Sequence, residues 1–200
     1  KEGEKALDDF IIDRQSEELF LDFKRSADDG KGKKLHDTDR ANLSKAISGF
    51  GNSEGGLIVW GVDCRNDVAE GDVARCKVPI ENPKRFVSRL EGAVSGCTIP
   101  AHSHVRHHAV EAGSPPIGFV VTYIPKSYLA PHQTVGRYQY YMRAGSDFVP
   151  VPHAVLSGLF GRHPQPFIFH NWINSLPEIQ SDRSVHVSIG FAMWNQGPGI

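Results

Sequence analysis

Residues 57–63, "LIVWGVD", limit the fold more than any other stretch of the chain. No polar side chain interrupts the run before Asp63. A strand that is apolar on both faces has to be covered on both faces, so it belongs inside a sheet with packed layers above and below. The segment before it supplies one such layer. Leu43, Ala46, Ile47 and Phe50 recur at helical spacing over about residues 39 to 50. Asp37 or Thr38 stands where a helix cap belongs, and "GNSEGG" ends the helix with residues that tolerate positive φ.

The rest of the chain fits round that strand. "EKALDDFIIDR" places Leu7, Phe10 and Ile11 on one helical stripe. In "SEELFLDFKRS" Leu19, Leu21 and Phe23 alternate with Phe20, Asp22 and Lys24, the pattern of a half-buried strand. Asn82 and Pro83 open a helix, "HVRHHAV" and "IGFVVTYIP" read as strands, "GRYQYYMRAG" as an aromatic strand and "PHAVLSGLFG" as a short helix. The class expected is α/β in the α+β sense: a mixed β-sheet flanked by helices in a single lobe over residues 1–162. Residues 163–184, with three prolines, read as a linker, and 185–200 as the start of a further β-containing segment. The opening at Lys1 and the closing Gly-Pro-Gly run read as a fragment of a longer chain.

Composition excludes several functions. With 40% hydrophobic residues and a formal net charge of −1, the chain can bury a core but does not attract polyanions in bulk. A nucleic-acid role would need a local basic patch. Three cysteines without a close pair argue against a disulfide framework and for a reducing compartment, the cytoplasm. No apolar run reaches membrane length, so no membrane partner is expected.

"GFGNSEGG" invites a nucleotide-loop reading, but a phosphate loop follows a strand and opens a helix, whereas these glycines do the reverse. ATP binding is therefore the least favoured function. His102, His104 and His108, on one face of an exposed polar strand near Cys97, lack the paired spacing of a structural zinc site, and zinc is not expected. The acidic residues are more informative. If the strands of "FLDFK" and "LIVWGVD" are neighbours, Glu17, Asp22 and Asp63 converge at one sheet end. Such a cluster repels itself unless a cation neutralises it, and Mg²⁺ or Mn²⁺ with oxygen ligands is the usual solution. Spacing alone favours the plainer reading, three separate surface carboxylates. Lys24, Arg25, Lys31, Lys33, Lys34, Lys126, Arg137 and Arg143 are scattered, and a solvated surface is the default for each.

Taken in order, "SEELFLDFKRS", "AISGFGNSEGGLIVWGVD" and "YIPKSYLAPHQTVGRYQYYMRAGS" resemble the Schlafen/AlbA-type domain family over about residues 5 to 160. The family pattern runs E-S-x-x-x-E-F-K, then A-F-x-N-x-x-G-G, an apolar strand into G-V-D, and later Y-x-R-x-G-S. The resemblance implies a Schlafen core-like lobe that binds RNA or DNA. In Schlafen proteins that cut RNA, three acidic residues of this framework are implied to be catalytic. They fall on Glu17, Asp22 and Asp63 here, which would hold Mg²⁺ or Mn²⁺, with Lys24 near the scissile phosphate. Lys31, Lys33, Lys34, Lys126, Arg137 and Arg143 would grip the nucleic-acid backbone. An endoribonuclease of this kind would act on structured RNA such as tRNA. The sequence departs from the pattern in having Asp22 where Glu is usual, and in leaving Glu17 and Glu18 as rivals for the first acid. The family also contains non-catalytic DNA- or RNA-binding modules of regulatory proteins. Schlafen enzymes pair two related lobes, and by that analogy a homodimer is one way for a single copy to build the same groove.

Overall fold

A computed structural model describes residues 2–28, 32–67, 71–112, 116–161 and 168–195. The apolar run expected in the interior is there: Ile58, Val59 and Trp60 are fully buried, and only Leu57 is partly exposed. The chain divides into two compact units, Lys1–Gly161 and Arg162–Ile200. The first contains, in order, α1 (Glu2–Ile12), β1 (Leu21–Lys24), α2 (Asp37–Gly51), β2 (Gly55–Trp60), β3 (Val62–Asp67), β4 (Gly71–Lys77), β5 (Ile80–Glu81) and α3 (Pro83–Val94). It continues with β6 (Thr98–Ile99), β7 (Arg106–Ala112), β8 (Ile117–Pro125), β9 (Gln133–Thr134), β10 (Tyr141–Ala144), β11 (Asp147–Pro150) and α4 (His153–Phe160).

The main sheet is mixed. β1 runs parallel to β2, and β2 pairs antiparallel with β8. β8 also pairs antiparallel with β5 and with β7. Successive residues of β2 point to opposite faces, and each face has its own core. On one face Ile58, Trp60, Val120 and Ile124 pack against Leu43, Ile47 and Phe50 of α2 and Phe86 and Leu90 of α3. On the other, Val59, Phe23 and Phe119 pack against Leu7 of α1, Val62 of β3 and Ala74 of β4. Trp60 satisfies its indole N–H on Thr122 Oγ1 at 2.9 Å, and so can lie fully buried. This arrangement is an α+β fold with a mixed sheet flanked by helices.

Around the expected acidic cluster, two strands differ from the expectation. The strand through Trp60 does not run on to Asp63. Gly61 takes φ +98°, and a Cβ there would stand 2.9 Å from the Phe119 ring. That glycine turns the chain out of the main sheet and into the β3–β4 ribbon, where Asp63 lies opposite Cys76. The "FLDFK" strand begins only at Leu21, with Leu19 and Phe20 exposed before it. Asp22 and Phe23 are both buried, so the polar side of this strand is not a solvated outer face.

The described residues of the second unit, 168–195, form β-strands and turns. β12 (Ile168–Asn174) pairs antiparallel with β15 (Ile189–Asn195), with Trp172 opposite Phe191, and β13 (Glu178–Ile179) pairs with β14 (Val185–His186). Prolines suggest a linker over 163–184, but the β-branched and aromatic residues from Ile168 to Ile173 form a strand within it. Among the described residues no helix is long and apolar enough to cross a membrane.

Candidate functional site

Glu17, Asp22, Lys24 and Arg143 meet at β1. Because β1 alternates, Phe23 faces the α1 side, edge-on to Phe10 at 5.6 Å, while Asp22 faces the other way and is 1% exposed. Asp22 Oδ1 accepts from Arg143 Nη1 at 3.2 Å. Its Oδ2 lies 2.8 Å from Lys24 Nζ as an ion pair, although the alignment falls short of a hydrogen bond. Lys24 Nζ is also 3.6 Å from Glu17 Oε1, and that oxygen accepts the Phe23 amide N–H at 3.0 Å. The ammonium therefore sits between the two carboxylates.

Arg143 closes the cluster from the side of β10. Its Nη2 donates to the carbonyls of Glu18 at 2.7 Å and Leu21 at 2.8 Å, and its Nε to Glu18 O at 3.2 Å. The guanidinium stacks over Phe148 at 4.5 Å and Phe50 at 5.3 Å. These interactions tie the entrance of β1 to a strand more than a hundred residues away.

The electrostatics follow from burial. Desolvation, and then the adjacent Asp22 carboxylate, push Glu17 from 4.5 up to about 7, despite the opposing pull of Lys24, the Phe23 amide and Arg143. Burial by itself would lower Lys24, but the attraction of Asp22 and Glu17 outweighs it and raises the ammonium above its ordinary value. With Glu17 ionised, two acids face two cations and the cluster is neutral without any added ion. A divalent cation would leave excess positive charge in a largely buried site.

One consequence can be measured. An acid whose folded pKa lies above its unfolded value destabilises the fold as pH rises between the two, here from about 4.5 to about 7. Glu17→Gln keeps the oxygen that accepts from Phe23 and removes the titration. The variant is expected to be more stable than the wild type at pH 8, by on the order of 2 kcal/mol. The difference should vanish near pH 4, as read by urea denaturation across pH. A variant less stable at pH 8 would contradict this account of the cluster.

The structure separates the candidate residues. Glu17, rather than Glu18, faces the cluster; the Glu18 carboxylate accepts from Gln15 Nε2 at 2.8 Å in the open. Asp63 lies beyond Gly61 on β3, half-buried, in a strand that neighbours β1. Among the described residues no three His, Cys, Asp or Glu side chains gather closely enough to hold a metal ion. Both Asp22 oxygens face cations, Lys24 on one and Arg143 on the other.

Of the basic residues, Arg143 is 3% exposed and turned inward, because Asp22 and two backbone carbonyls hold it there, so it does not present its charge at the surface. Lys126 pairs with Glu54 at 2.7 Å. Lys33, Lys34 and Arg137 are exposed. Lys31 lies outside the described residues. The histidines do not share a strand face: His102 precedes β7 and stacks on His132 at 5.0 Å, and burial lowers the pKa of both rings.

Asn52 is a residue that the helix-and-turn reading passes over, although it is the N of A-F-x-N-x-x-G-G. Its Nδ2 donates to His132 O at 3.1 Å and Tyr141 O at 2.9 Å, and its Oδ1 accepts from His132 N at 2.6 Å. Ser48 Oγ donates to His132 O and accepts from Tyr141 N, and Ser53 Oγ accepts from Arg143 N. The glycine-containing turn thus holds the segment at 132–143 rather than a phosphate. At Gly55 φ is +86°, and a Cβ would stand 2.8 Å from Lys126 N, which accounts for the glycine by close approach.

These shared motifs, meeting in space, define a Schlafen-type lobe. The chain belongs to the Schlafen, AlbA_2 family, whose model matches residues 17–152. No curated protein matches the sequence. Among solved structures, the DIP2311 protein of Corynebacterium diphtheriae is similar at 13% identity and a TM-score of 0.44, covering 80% of this chain and 29% of its own. The N-terminal domain of a RecG-related protein of Nitrosomonas europaea is similar at 18% identity and a TM-score of 0.48, covering 74% of this chain and 94% of its own.

Proposed function

We propose that this chain is a nucleic-acid-binding module that works without metal-dependent cleavage. Family membership supports the nucleic-acid partner. The observation that carries the choice against cleavage is the position of Lys24, whose ammonium lies 2.8 Å from Asp22 and 3.6 Å from Glu17. That internal cation, with Arg143 on the other Asp22 oxygen, does for these carboxylates what a divalent ion would otherwise do. On this reading Glu17, Asp22 and Lys24 hold β1 in place, and the exposed Lys33, Lys34 and Arg137 meet phosphates.

The competing reading is an endoribonuclease using Glu17, Asp22 and Asp63 with Mg²⁺ or Mn²⁺ on structured RNA such as tRNA. It requires Lys24 and Arg143 to give up Asp22. One experiment separates the two. Labelled tRNA is incubated with the wild type and with Asp63→Ala, in Mn²⁺ or in chelator, and both binding and integrity are followed. Binding is expected to be equal in chelator and Mn²⁺, to weaken steeply with salt as counterions are released, and to leave the RNA intact. Cleavage by the wild type that disappears in Asp63→Ala would establish the enzyme instead. Absence of any salt-sensitive binding to RNA or DNA would reject both.

A further inference from the structure

We propose that the cleft between α2 and α3 is a phosphate-binding site that takes the phosphodiester backbone of a nucleic-acid strand, an inference that rests on the binding function above. The cleft has a volume of about 440 Å³, and Lys33, Lys34, Arg40 and Arg89 line it, with the Ser88 hydroxyl as a neutral donor. Its floor is apolar, from Leu35 and Ala93. This volume suits a phosphate with part of its sugar.

Charge favours an anion. Four cations line the cleft, against Asp37 on its wall and Asp28, which pairs with Arg89. Among the described residues, two positive charges are left over. Lys33, Lys34 and Arg40 have no carboxylate partner among the described residues. Three nearby cations without an acid paired to them repel one another, and a phosphate relieves that repulsion while accepting their hydrogen bonds.

The cleft is also built rather than accidental. Described residues that precede the lysines are held by both helices. Ser26 Oγ and the Ala27 amide donate to Asp39 of α2 at 2.8 and 3.0 Å. Further along, Arg85 of α3 donates to Gly32 O at 3.0 Å, and Arg89 reaches the same carbonyl. Asp39, buried within α2, is thereby committed to holding Ser26 and Ala27. Fixing the backbone at Ala27 and Gly32 lowers the entropy lost when the adjacent lysines bind.

Two variants test the site. Lys34→Glu/Arg40→Glu reverses two of the unpaired charges. Gly92→Glu adds a carboxylate at a lining position where a Cβ meets nothing within 4 Å. Each is measured with a labelled single-stranded RNA across a salt series, with Lys84→Glu as a control outside the cleft and a thermal melt to confirm folding. Both variants are expected to weaken binding at least about tenfold. In the double variant the slope of log K against log salt should shrink by roughly 0.7 for each phosphate that the protein ceases to neutralise. RNA binding by the wild type that is unchanged in both variants would overturn the cleft and leave the binding function standing. If the wild type binds neither the RNA nor a DNA strand of the same sequence, the function itself fails. Inorganic pyrophosphate then decides the cleft: stabilisation that disappears in Lys34→Glu/Arg40→Glu would reassign it to free phosphate compounds and overturn the nucleic-acid occupant. No stabilisation would remove the site altogether.

Discussion

Arg143→Met is expected to destabilise the lobe by about 3–5 kcal/mol, the cost of breaking a buried ion pair from one side. That is a large part of the whole stability of a domain this size, and the variant should be substantially unfolded in urea concentrations that the wild type tolerates. Methionine keeps the apolar stem against Phe148 and Phe50, so the loss reports on the charge and its hydrogen bonds. Without the guanidinium, Asp22 remains buried with Lys24 alone, and the carbonyls of Glu18 and Leu21 lose their donor. Asp22→Asn should also cost several kcal/mol by itself, because it leaves Arg143 buried without its counter-charge. Combined with Arg143→Met it should cost much less, and the double-mutant cycle should return a coupling of about 2 kcal/mol. Single variants that cost under about 1 kcal/mol each, with no coupling, would mean that Asp22 is not committed to Arg143. Asp22 would then be held by Lys24 alone.

Asn52→Ala is the second large effect, expected at about 3 kcal/mol. The side chain occupies a buried position where it serves three backbone groups from two segments some 80 and 90 residues away. The carbonyl of His132 keeps Ser48 Oγ as a donor, so its loss is partial. The His132 N–H and the Tyr141 carbonyl have more to lose. Opposite Tyr141 in the β10–β11 ladder stands Pro150, which has no amide hydrogen to offer. Each buried group left unpaired costs about 1–3 kcal/mol, well above the net worth of an ordinary hydrogen bond. Chemical denaturation of Asn52→Ala beside Asn52→Asp measures this. Aspartate keeps the acceptor for His132 N–H and loses both donations, so it should fail as a replacement. If Asn52→Ala costs under about 1 kcal/mol, Asn52 does not hold these segments together.

Both effects bear on how the site is read. Asp22 and Lys24 sit where the family pattern leads one to expect chemistry, and their charges are what draw attention to them. Local sequence cannot tell whether a carboxylate faces a metal, water or a distant arginine. In the sequence Arg143 is only one of several scattered basic residues, and a solvated surface is the plain expectation for it. Its partner lies 121 positions earlier, a separation that no spacing argument spans. The same limit applies to Arg40 and Arg89, which look ordinary on their helices and acquire meaning only from the cleft they share.

The sequence by itself determined the interior strand, the helix before it, the glycine turn between them and the family pattern. Each depends on interactions between residues a few positions apart, or on apolar periodicity that has to be buried somewhere. Only the tertiary structure decided that Gly61 takes Asp63 out of the main sheet, that Arg143 turns inward to Asp22, and that Lys24 stands between two carboxylates. The reason is physical: burial changes what a charge costs by several kcal/mol, and burial is set by the packing of distant segments rather than by neighbours in the chain.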